Sequence, residues 1–254
     1  LSRGYGGSME GPVLVDPARH TAAEVGDEPL MLARRGPMMV ARDRAEGLKA
    51  LEREGFAVAV VDDAHQNLSI AKDLHILVVD GDTRDGAWPF GDGGICPDGP
   101  LREPFDDGLA RADIVILWMP DATSQPDPEL TALLTGKPLF IARLTPELPQ
   151  ETGPVVAFAG IAKPWKFEAT LRASGFEVLD FEDFADHAEI PDARLEAMAA
   201  YAQRHHARLI TTEKDWVRLS PHWRGRVASL PIAASFENEA AFVEAVTKAL
   251  PPGA

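Results

Sequence analysis

Two adjacent carboxylates, Asp62 and Asp63, follow the apolar run Phe56-Ala57-Val58-Ala59-Val60-Val61, and Gln66 stands three residues further on. A β-branched run that stops at acids reads as a buried parallel strand whose carboxyl end delivers charge to a ligand edge. Paired acids there suit a magnesium ion in phosphoryl transfer, while solvated loop carboxylates would carry the same letters. Arg102 and Glu103 sit in Gly99-Pro100-Leu101-Arg102-Glu103-Pro104, a stiff frame that suits ligand contact and equally a rigid turn. The loop Ser2-Arg3-Gly4-Tyr5-Gly6-Gly7 allows positive φ and close backbone approach to a ligand, as a plain turn also would. Asp27, in Gly26-Asp27-Glu28-Pro29, reads as the cap of a helix whose first turn holds Glu28 and Pro29. Thr211-Thr212-Glu213-Lys214-Asp215 is a strand-end loop able to bind an anion, unless Lys214 and Asp215 pair with each other. His187 follows Asp186, whereas His205 and His206, as sequence neighbours, point to different helix faces and read as surface residues.

The elements that must position these groups alternate between strand and helix. Short apolar runs at 56–61, 74–80, 113–118 and 138–143 predict a first α/β lobe over residues 1–148. Thr145 to Gly153 reads as a linker, and runs at 154–161, 177–181, 208–212 and near Leu230 predict a second lobe over 149–254, closed by a helix from Glu239 to Leu250. The fold class expected is therefore two Rossmann-like α/β lobes with mostly parallel sheets.

Composition narrows the partners. Lys and Arg number 25 against 40 Asp and Glu, a net charge of −15, which argues against a nucleic-acid backbone but not against a magnesium-chelated nucleotide. A single cysteine, Cys96, excludes an internal disulfide and a multi-thiolate zinc site. No apolar run approaches the length of a membrane span, which is about 18 residues or more. Leu1 followed at once by a glycine-rich loop predicts a stretch taken from inside a longer protein.

In order along the chain, the serine-arginine-glycine-tyrosine loop, Gly26-Asp27-Glu28-Pro29, Asp62-Asp63, Leu101-Arg102-Glu103-Pro104, Phe158-Ala159-Gly160-Ile161, Asp186-His187 and Thr211 to Asp215 resemble the tetraacyldisaccharide 4'-kinase family of lipid A biosynthesis. The resemblance covers nearly the whole chain and implies a P-loop-kinase-like fold. It also implies transfer of the γ-phosphoryl group of ATP, with Mg²⁺, to the 4'-hydroxyl of a tetraacyldisaccharide 1-phosphate. By residue matching, Asp27 is similar to the family's catalytic base, His187 to its supporting histidine, and Arg102 and Glu103 to active-site loop residues. Ser2, Arg3, Gly4, Tyr5 and Gln66 fall on the nucleotide side, with Asp62 and Asp63 at the metal. The implied setting is a monomer in peripheral contact with the cytoplasmic face of the bacterial inner membrane. The motif G-x-x-x-x-G-K-[ST] does not occur in these residues, which implies that the stretch alone is inactive. With Ala64, Asn67 and Ala188 standing where the family has glycine, histidine and histidine, a non-catalytic nucleotide- or glycolipid-binding remnant is the alternative.

Overall fold

Apolar runs bounded by Gly, Pro and acidic residues become strands in the computed structural model, which describes residues 1–186 and 188–250. The strands are β1 Val13–Leu14, β2 Met39–Val40, β3 Ile76–Asp80, β4 Ile114–Met119, β5 Leu139–Pro146, β6 Pro154–Ala159, β7 Glu177–Asp183, β8 Arg208–Thr212, β9 Val227–Leu230 and β10 Ile232–Phe236. Among the described residues, β1 and β2 pair antiparallel, a second sheet runs β10-β5-β4-β3 and a third runs β7-β6-β8-β9. The ladders β3–β4 and β4–β5 are parallel, as are all those of the third sheet. Parallel strands are covered on both faces, and Val155 to Ala159 of β6 are accordingly buried without interruption.

The two compact units interleave along the chain instead of dividing at 148. One joins Leu1–Glu54 to Pro146–Ile232, and the other joins Gly55–Thr145 to the segment that begins at Ala233. The cause is the last strand. β10 lies beside β5, so the helix Glu239–Ala249 covers the second sheet, packing Phe242, Ala245 and Val246 against Ile114, Ile116 and Ala142. The expected linker is partly strand, since β5 continues through Pro146.

The run Phe56 to Val61 is not the buried strand that its composition predicts. It enters none of the sheets, and Val60 is 83% exposed. A β-branched run becomes a strand only where a neighbour supplies ladder partners, and among the described residues β3 pairs with β4 alone. The stretch is an irregular connection from the helix Arg44–Arg53, capped by Asp43 and ended before Gly55 at φ 87°, to a turn at Asp62 and Asp63.

Candidate functional site

In the third sheet β7 and β8 flank β6 on opposite sides, so the crossover from β6 to β7 and the next one, from β7 to β8, run in opposite directions. Ligands of open parallel sheets bind at the carboxyl ends of the strands beside such a reversal. The side chain placed there is Asp215, whose side chain is 0% exposed. Its Oδ2 accepts the Gly160 N–H at 3.0 Å, just past β6, and the Thr212 hydroxyl at 2.7 Å, at the end of β8. Thr212 Oγ1 in turn accepts the Asp215 N–H at 3.1 Å, capping the short helix Glu213–Trp216. Arg218 Nη1 donates to Asp215 Oδ1 at 3.0 Å, its other terminal nitrogen donates to the Ala188 carbonyl, and its Nε lies 3.8 Å from Asp27 Oδ2. The pairing of Lys214 with Asp215 does not form: Lys214 Nζ lies 3.7 Å from Glu28 Oε1 instead. Arg218 went unread because it lies outside the threonine-to-aspartate motif. Its spacing of three from Asp215, one helical turn, is the signal that places both on one side.

Asp27 is the first residue of the helix Asp27–Leu32, and Gly26, not Asp27, is the cap residue. The carboxylate is therefore released from capping its own helix. The Ser2 to Gly7 loop lies directly behind this point. A Cβ on Gly26 would meet the Tyr5 carbonyl oxygen at 2.6 Å, and one on Gly7 would meet Gly26 N and Val25 C at 2.7 Å. Ser2 is anchored along β2, donating its N–H to Met39 O and accepting the Ala41 N–H, both at 3.0 Å, and Gly4 turns the chain at φ 73°. Arg3 and Tyr5 project to solvent. The proximity of loop and Asp27 makes Gly7→Ala a backbone clash that must open this packing. A loss of about 1–3 kcal/mol is expected from overpacking, read as a lower urea midpoint with an unchanged slope. An unshifted midpoint would mean that the loop is not packed in this way.

The other predicted residues gather in the second unit. Asp63, at φ 46°, receives Arg102 Nη1 on both carboxylate oxygens at 2.7 and 2.9 Å, with both side chains exposed. Gln66 Nε2 donates to Glu103 Oε1 at 2.9 Å, and Arg111 donates to Glu103 Oε2. Gln66, Arg102 and Glu103 line a pocket of about 200 Å³ together with Asp80, Phe90 and Leu101. The Arg111 hydrogen bond holds the Glu103 carboxyl below its ordinary range, against an opposing push from burial and with help from Gln66. A carboxyl depressed in the folded state contributes stability above its unfolded value, about 4.3, and loses it as the pH falls through the folded value. Acid unfolding of wild type and Glu103→Gln should therefore converge as the pH drops below about 4, with wild type the more stable above it. Parallel curves over that range would contradict the pairing.

Asp62 and Asp63 stand at a turn, exposed, not at a strand end. No group of three or more His, Cys, Asp or Glu that could hold a metal ion occurs among the described residues. His187 lies outside the described residues, although the carbonyl of its neighbour Ala188 is held by Arg218.

Residues 1–251 match the sequence model of the family described as tetraacyldisaccharide-1-P 4'-kinase. The chain belongs to this family. It is 55% identical over 241 residues to the tetraacyldisaccharide 4'-kinase of Phenylobacterium zucineum, covering 95% of this chain and 74% of that protein. It is 52% identical over 250 residues to that of Caulobacter vibrioides, covering 98% and 74%. The crystal structure of LpxK from Aquifex aeolicus in complex with ATP superposes with a TM-score of 0.72 at 24% identity, over 98% of this chain and 78% of that one. The α/β architecture with parallel sheets is thus that of a 4'-kinase. Among the described residues no helix is long and apolar enough to cross a membrane.

Proposed function

We propose that this 4'-kinase family member transfers the γ-phosphoryl group of ATP to the 4'-hydroxyl of a tetraacyldisaccharide 1-phosphate, with Asp27 taking the hydroxyl proton. The observation that carries this reading is the chain of contacts Asp27–Arg218–Asp215–Gly160, which ties the N-terminal aspartate to the reversal point of the third sheet. Phosphoryl transfer asks a protein mainly for position and charge. Arg218 supplies position: its fork, fixed on Asp215 and the Ala188 carbonyl, faces Asp27 and limits where that carboxylate can turn. A carboxylate so held can accept a proton from an alcohol brought within hydrogen-bond reach. His187 is proposed to support it.

The donor set fits a metal bound to a nucleotide better than a bare ion. Magnesium in kinases keeps water and phosphate oxygens and takes one or two protein carboxylates, so Asp62 and Asp63 would hold it without a third acid. When bound, it neutralises charge on the phosphoryl group. On the phosphate side Gly6, at φ 79° with open space where a Cβ would stand, leaves backbone accessible between Ser2-Arg3-Gly4-Tyr5 and Gly7. Arg102 and Glu103 are proposed to contact the ligand within the second unit, with Gln66 orienting Glu103. We place the enzyme as a monomer in peripheral contact with the cytoplasmic face of the inner membrane, where its acylated acceptor resides.

In the test, a version extended upstream to carry the G-x-x-x-x-G-K-[ST] loop that these residues lack is incubated with γ-labelled ATP and the disaccharide 1-phosphate. Label is expected at the 4'-position, and the product is checked by phosphorus NMR. Nucleotide binding without any transfer would favour the non-catalytic remnant.

A further inference from the structure

A pocket of about 330 Å³ in the first unit is lined by Leu30, Arg34, Trp216, Val217 and Arg224, with Pro17 and Ala18 at its edge. Two guanidinium groups share the indole: that of Arg34 lies 4.0 Å from the Trp216 ring centroid and that of Arg224 lies 5.4 Å from it. Neither forms an ion pair with a carboxylate among the described residues. Six arginines of this unit, Arg35, Arg42, Arg172, Arg194, Arg218 and Arg226, each meet an acid, whereas Arg34 and Arg224 share one indole instead. In a chain of net charge −15, two adjacent cations that lack a counter-charge are a local deficit of anion.

Arg224 carries this deficit furthest inward. One of its terminal nitrogens donates to the Val217 carbonyl, but Nε is buried with no hydrogen-bond partner. Burial, and then the charge of Arg34, lowers its affinity for its own proton. Leaving a buried donor unsatisfied is costly, and like charges beside each other add to the cost. An oxyanion seated between the two forks would relieve both. Charge-assisted bonds to a planar fork are the form of recognition that arginine gives phosphate.

We propose that Arg34 and Arg224, braced on Trp216, form a binding site for a phosphate group. The chemistry has two sources: free phosphate, or the 1-phosphate of the disaccharide acceptor. The second rests on the function proposed above, while the site itself does not. The helix that begins with Asp27 points its far end at this pocket. That helix ends at Leu32, and Arg34 follows two residues later in the turn after it.

The experiment is calorimetric titration of the full chain with inorganic phosphate at constant ionic strength, with chloride as the control. Wild type should bind saturably, and Arg34→Gln should bind at least about tenfold more weakly. Arg34 is exposed and makes no ion pair, so this variant folds; Arg224→Gln is the second variant, checked for a wild-type circular dichroism spectrum. Absence of saturable binding by wild type, or equal binding by wild type and Arg34→Gln, overturns the site. In the transfer assay, acceptors with and without the 1-phosphate separate the sources. A KM raised at least about tenfold by Arg34→Gln only for the phosphorylated acceptor assigns the site to substrate. Unchanged KM values beside weakened phosphate binding assign it to the free ion. If no transfer occurs with any protein, the function proposed above fails and the titration alone still decides the site.

Discussion

Asp215→Ala is expected to destabilise the first unit by about 3–5 kcal/mol, the range for removing one partner of a buried pair. The carboxylate serves three donors at once: Gly160 N–H, the Thr212 hydroxyl and Arg218 Nη1. Alanine leaves a backbone N–H without an acceptor at the end of β6 and a guanidinium, 13% exposed, without its nearest anion. It also cuts one of the side-chain ties between the ends of β6 and β8, leaving the Thr211 hydroxyl donating to the Phe158 carbonyl at 2.8 Å. Asp215→Asn keeps one acceptor and should fall between wild type and alanine. Urea unfolding followed by tryptophan fluorescence reads the effect, with Trp216 and Trp223 both in this unit. A loss below about 1 kcal/mol, the range of an exposed ion pair, would mean that water reaches the carboxylate and the network contributes little.

The same residue shows how far sequence reasoning reaches. β4, β6 and β8 follow directly from apolar runs, because strands covered on both faces need hydrophobic side chains at successive positions. The helix Pro164–Ala173 is equally direct, with proline at its first position and Phe167 and Leu171 turned inward, although Trp165, expected inward with them, is exposed. Phe56 to Val61 has the same composition and yet forms no strand, since composition states what a strand could bury and not whether a neighbour stands beside it. The interleaving of the two units is hidden for a similar reason. Nothing in Ile232–Phe236 says which sheet edge it will join. Within the candidate site, the acidic and glycine motifs are readable as motifs. Their connector, Arg218, is a single arginine whose role exists only once β6 and β8 lie side by side and Asp27 lies within reach.

Asp27→Asn tests the proposed chemistry most directly, and kcat should fall about 10²- to 10⁴-fold, the usual contribution of a positioned general base. Asparagine has the size of aspartate and keeps an oxygen facing Arg218 Nε, so the fold and the KM for ATP should stay close to wild type. What it cannot do is take a proton from the acceptor hydroxyl. Arg218→Lys is the companion variant. Lysine preserves a cation for Asp215 but lacks the fork that meets Asp215, the Ala188 carbonyl and Asp27 together. A base displaced by about 1 Å costs on the order of 10²-fold, so Arg218→Lys should lower kcat by about that factor. If Arg218 acts by positioning Asp27, its loss matters only while the carboxylate is there. The double variant should then be no slower than Asp27→Asn alone, the non-additivity expected of groups that work as a unit. Fully multiplicative losses would separate the two residues, and near-normal turnover by Asp27→Asn would take Asp27 out of the proton transfer altogether.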